Sequence, residues 1–137
     1  MAKKISTELV ALCDYAMTGE DKKLSVIGIF DKVFVRQLPG NHARMSFVVT
    51  FTGEARSEET LKLHIIAPSG KEELVADVKL SFGENGKFNF VSNFEGFPFG
   101  ETGTYHFTFG EGKSEAVNHE LDVIQVKDES STKKIMN

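Results

Sequence analysis

The chain has 137 residues, of which 40% are hydrophobic and 26% charged, and a net charge of −4 at pH 7. A chain of this length folds as one domain and hides roughly two-thirds of its unfolded surface, so it needs no metal or disulfide staple. Acidic and basic residues are interspersed, which argues against a nucleic-acid face, and no apolar run approaches the about 20 residues of a membrane helix.

The opening residues Met1–Lys4 read as a short tail ahead of a β domain spanning residues 5–126. Leu9–Met17 and Leu24–Phe30 are apolar on both faces when read as strands. Leu9, Ala11, Cys13, Tyr15 and Met17 share one side of the first, and Val10, Leu12 and Ala16 share the other. In the second, Leu24, Val26 and Phe30 oppose Ile27 and Ile29. A strand with one wet face alternates apolar and polar residues, so this hairpin is expected to be covered on both sides. The candidate partner-binding residues are therefore Val10, Leu12, Ile27 and Ile29. The rival expectation is that Pro39–Arg44 and the C-terminal tail fold over that face. Gly28, inside a strong strand, marks a bulge or a close backbone approach.

Cys13 is the single cysteine. It excludes an intramolecular disulfide and points to a reducing compartment, read as the cytoplasm. The N-terminal run is interrupted by Asp14 and Glu20 and makes a poor signal peptide.

Alternation continues through Met45–Phe51, Leu61–Ile65, Leu74–Phe82, Phe88–Phe94, Tyr105–Phe109 and Leu121–Val123. After Val123 the apolar phase moves to Ile124 and Val126, which predicts a bulge or a strand crossing an edge. Gly19-Glu20-Asp21, Pro39-Gly40-Asn41, Pro68-Ser69-Gly70, Gly83–Gly86 and Gly110–Gly112 supply the turns. Glu54–Glu59 is too short to be more than a loop or one helical turn. Gly103-Thr104-Tyr105 places a tyrosine at the start of a late strand, after a glycine-rich corner, where immunoglobulin-like sandwiches carry one. The expectation is an all-β, immunoglobulin-like antiparallel β-sandwich of about seven to eight strands, followed by a frayed tail over residues 127–137.

Chemistry is scarce. The four histidines, His42, His64, His106 and His119, show no shared local face. His119 is expected to be half-buried and hydrogen-bonded. A metal site would need His64 and His106 on adjacent strands plus a third ligand. The acidic turns lack the Asp-x-Asp spacing of a calcium loop. Gly112-Lys113-Ser114 lacks both the upstream glycine and the following helix of a phosphate loop. Neither cofactor nor metal is expected, and the chain reads as a non-enzyme. Phe97-Pro98-Phe99 reads as a loop. If its rings were exposed, Phe97 and Phe99 would suit a small ligand or a glycan; the competing reading has them fill the end of the sandwich.

Leu12-Cys13-Asp14-Tyr15-Ala16 and Lys23–Asp31 (KLSVIGIFD), with the late Gly-x-Tyr-x-Phe strand, resemble a family of small bacterial proteins catalogued as a domain of unknown function. The resemblance covers most of the chain. It implies an all-β sandwich and a bacterial or phage source, and it transfers no catalytic residue. The functional expectation is a protein-interaction or structural module, a homo-oligomer or one bound to a protein partner, with no nucleic acid and no membrane.

Overall fold

The computed structural model describes residues 5–111 and 114–126. The expected tails at residues 1–4 and 127–137, and the turn at Gly112 and Lys113, lie outside the described residues. β-Branched and aromatic residues alternating with polar ones build nine strands among the described residues. They are β1 (Ser6–Thr18), β2 (Leu24–Phe30), β3 (Lys32–Val35), β4 (Gly40–Thr52), β5 (Glu58–Ile66), β6 (Glu72–Ser81), β7 (Lys87–Phe99), β8 (Gly103–Glu111) and β9 (Ser114–Gln125).

One sheet runs β2-β1-β4-β7 and the other β3-β9-β8-β5-β6. Every pairing is antiparallel except β3 with β9, which is parallel. The chain therefore changes sheets at Asp31, between β2 and β3. That short β3 is the strand that hydrophobic alternation missed, since four residues are too few to show a period. The immunoglobulin-like sandwich holds, with this one extra strand.

The inner faces meet in a core built around Leu12, Phe47, Phe51, Phe107, Phe109 and Leu121, all buried. Phe47 stacks on Phe109 with centroids 6.1 Å apart, and Phe51 and Phe90 meet Phe109 edge-on at 5.2 and 5.0 Å. Each such pair adds about 0.5–1.5 kcal/mol beyond area burial, so the phenylalanine-rich composition is spent on the core.

Tyr105 closes the corner between β7 and β8, the places of strands E and F in immunoglobulin lettering. Its ring is buried, and its hydroxyl accepts hydrogen bonds from the backbone N–H of Gly100 (3.1 Å) and Glu101 (3.2 Å). Phe97 and Phe99 pack beneath this corner, so the expected loop is instead the end of β7. Phe94 and Phe97 both reach the core although three positions apart. Gly96, with φ +65°, lies between them and resets the alternation. The cis bond in this chain precedes Pro39, not Pro98. Pro39–Arg44 leads into and forms the start of β4, from which His42 packs on Phe30 and Arg44 stands over Tyr15; the C-terminal tail expected to join it over the hairpin lies outside the described residues.

The β8–β9 pairing ends at Gly103↔Val123, with its one shift at Phe109/Gly110, and beyond Val123 β9 continues in register with β3 through Phe34↔Ile124 and Val35↔Gln125. The change of apolar phase has a different cause from a bulge. Ile124 turns outward, β9 ends at Gln125, and Val126 returns to the interior with its N–H bonded to the Val35 carbonyl.

Candidate interaction surface

The first hairpin separates into an inner and an outer face. Leu12 lies opposite Phe30 on β2 and Phe47 on β4, and all three join the inter-sheet core. Val10, opposite Val49, packs against the same core. Val10 and Leu12 are therefore core residues and are corrected as partner-binding candidates: their side is the one the second sheet covers.

On the other face, Cys13, Ala16 and Val48 form a small separate cluster, flanked by Leu9, Leu24, Val26 and Val91. Two hydrogen-bonded rungs border it. Ser46 donates its hydroxyl to the Asn93 side-chain carbonyl, and Thr50 donates to that of Asn89 at 2.7 Å. These bonds satisfy hydroxyls that sit 0% and 8% exposed. Cys13 is buried, and its thiol donates to the carbonyls of Tyr15 and Ser46. Burial pushes the thiol pKa up, against the smaller lowering effect of the Tyr15 and Ile27 backbone.

Ile29 lies opposite Cys13, and Ile27 lies opposite Tyr15. Ile27 is 60% exposed and Ile29 65%, beside the exposed Tyr15 and Met17. The Arg44 guanidinium stands 5.4 Å above the Tyr15 ring. Gly28 has φ +72°, and a Cβ there would lie 2.4 Å from the Asp14 carboxylate, so the close approach expected of this glycine is present. The hairpin thus carries exposed apolar side chains on both sides of Gly28, a pattern associated with protein contacts.

A second exposed pair went unnoticed in the sequence. Phe34 on β3, 50% exposed, lies opposite Ile124 on β9. The phase change at Ile124 was its only signal.

The alternative ligand site is corrected. Phe97 is 8% exposed and Phe99 0%, their centroids 5.0 Å apart, with Phe99 edge-on to Tyr105. Rings packed this way offer no stacking surface to a glycan or small ligand.

The histidines lie apart. His64 stands 3.3 Å from a Glu72 carboxylate oxygen, His106 pairs with Asn118, and the His42 ring packs against Phe30. His119 lies half-buried against Phe47, and its Nε2 is buried without the hydrogen bond that was expected. Burial lowers its pKa, opposed by the charges of Asp31 and Glu120. Among the described residues no three His, Cys, Asp or Glu side chains are placed to hold a metal. A groove of about 510 Å³ crosses the outer face of β5, β6 and β8, where Lys62 pairs with Asp77 at 3.4 Å and His64 with Glu72. No helix among the described residues is long and apolar enough to cross a membrane.

The fold is similar to part of a β-glucosidase from Listeria innocua. The alignment has a TM-score of 0.51 and 10% identity, and covers 91% of this chain but 16% of that one. An immunoglobulin-like protein from Pseudomonas aeruginosa aligns with a TM-score of 0.48 and 14% identity, covering 88% and 96% of the two chains. A β-glucosidase from Erythrobacter marinus gives a TM-score of 0.48 and 12% identity over 89% of this chain and 16% of its own. The chain thus spans about a sixth of the length of these glucosidases, and the first alignment speaks for the fold alone. A comparison with curated proteins finds no match. A family model described as a family of unknown function, DUF6941, matches residues 8–133.

Proposed function

This chain belongs to the DUF6941 family of unknown function, and on that premise we propose that it is a non-catalytic protein-interaction module that docks through its first hairpin. One observation carries the reading: Ile27 and Ile29 are 60% and 65% exposed in a strand whose other apolar residues are at least half-covered. Fully burying one such side chain contributes about 1.5–3 kcal/mol, so a partner covering both gains a usable anchor. A reducing, cytoplasmic setting fits a lone buried thiol at Cys13.

The test is the Ile27→Lys/Ile29→Lys protein. It is expected to keep the wild-type circular dichroism and melt within a few degrees of wild type, because both sites are surface positions. Immobilised wild-type chain is expected to retain a protein from source-cell lysate, its own copy included, that the double variant releases. Unfolding of the variant would make the hairpin internal core, and unchanged retention would move the contact elsewhere; either overturns the reading.

A further inference from the structure

Among the described residues the hairpin also ends in an uncovered sheet edge, and the four edges of the sandwich differ in how they are defended. Edge strands expose unpaired N–H and C=O groups, which proteins blunt with charges, proline or brevity. β6 carries Glu72, Glu73, Asp77 and Lys79; β7 carries Glu95 and Pro98; β3 has four residues and begins with Lys32. β2, at the remaining edge, has seven residues with neither charge nor proline. Its register with β1 runs from Leu12↔Phe30 to Thr18↔Leu24 without a shift, so the strand stays in step through Gly28.

Building on the interaction reading, we propose that the partner is a second copy of this chain, joined β2 to β2 in antiparallel fashion into one continuous sheet. The charges bounding the strand favour that occupant. Lys23 precedes it, exposed and 3.9 Å from Asp21, and Asp31 follows it where the chain crosses to the other sheet. Antiparallel pairing about a two-fold axis at Ile27 brings the Lys23 end of each strand toward Asp31 of the partner subunit, so exposed opposite charges flank the seam at both ends. A parallel pairing would instead set like charges together. The same axis places Ile27 against the partner's Ile27, where the side chain with 60% exposure meets its own copy. Cross-strand opposite charges stabilise such a pairing and like charges oppose it, so the ends of β2 specify direction while its centre supplies apolar contact.

The experiment uses full-length protein in two arms. In the first, light scattering over a concentration series is expected to show a dimer. Lys23→Asp should shift its dissociation by about tenfold or more toward monomer, and Lys23→Asp/Asp31→Lys should restore it. In the second, Ile27→Cys is expected to cross-link to dimer on mild oxidation, because facing Cα atoms about 4.5–5.5 Å apart lie within disulfide reach. Glu95→Cys, on the opposite edge, should form no covalent dimer under the same oxidation. Cys13 can remain, being buried. A wild-type monomer at every concentration overturns the second copy as partner, while retention of another protein by the hairpin would leave the interaction reading standing. A dimer that ignores the charge swap, or that dissociates on Phe34→Lys instead, overturns the β2 edge. Unfolding of Ile27→Lys/Ile29→Lys overturns the interaction reading itself.

Discussion

His119 lies where β9 packs over Phe47, with its Nε2 buried and no hydrogen bond to that nitrogen. An imidazolium at that site loses hydration without gaining a partner, so the folded protein holds its pKa below the ordinary 6.5, and Asp31 and Glu120 offset only part of that cost. The consequence for stability has a definite sign. Below about 6.5 the unfolded chain takes up a proton at His119 more readily than the folded chain, so acid favours unfolding. The contribution is complete above that value and declines as pH falls toward the lower folded pKa. Thermal melts from pH 7.5 to 5 are expected to show this decline, with a shallower slope in His119→Leu. An equal slope in the variant would assign the effect to other groups. Position 119 shares its strand phase with Val117 and Leu121, so its half-burial was legible in the sequence. The missing bond was not, because it depends on what the opposite sheet places beside the ring.

At the scale of the element, the β1–β2 hairpin shows how two faces with similar composition acquire different roles. Leu12 and Ile27 are both aliphatic and only 15 positions apart in sequence, yet one is 0% exposed and the other 60%. Leu12→Ala is expected to cost about 2–5 kcal/mol, the range for a cavity in a packed core. Ile27→Lys should cost no more than about 0.5 kcal/mol, as for an ordinary surface change. Urea unfolding of both variants checks the pair, and comparable losses would contradict the assignment of faces. The sequence marked both faces as apolar, but strict alternation split Cys13 from Ala16 and joined Val26 to Phe30, whereas Cys13, Ala16 and Val26 share one cluster and Phe30 joins Leu12 in the other. It carried nothing about which face the second sheet would cover, because that sheet, apart from the short β3, is assembled from strands more than 20 residues further along the chain. Phe97 and Phe99 illustrate the complementary difficulty. Gly96 resets the phase, so simple alternation ended the strand too early and turned its terminus into an apparent loop.

Across the whole molecule, the proposed edge-to-edge assembly would link folding to concentration. Partner binding to the folded state stabilises it by mass action, so the melting temperature of the wild-type chain is expected to rise with protein concentration, while that of Ile27→Lys/Ile29→Lys stays constant. A concentration-independent wild-type melt would count against assembly. Period-two alternation, spaced turn residues and the glycine-rich corner before Tyr105 determined the all-β class and the immunoglobulin-like sandwich from sequence alone, because they act over a few neighbouring residues. The opening motif and the late tyrosine strand likewise pointed to a family of unknown function. The parallel β3–β9 pairing, the exposed Phe34–Ile124 pair, the burial of Leu12 and the exposure of Ile27 were decided by tertiary structure. Each depends on which distant strand arrives beside it, and hydrophobicity states that a side chain seeks cover without stating what provides it.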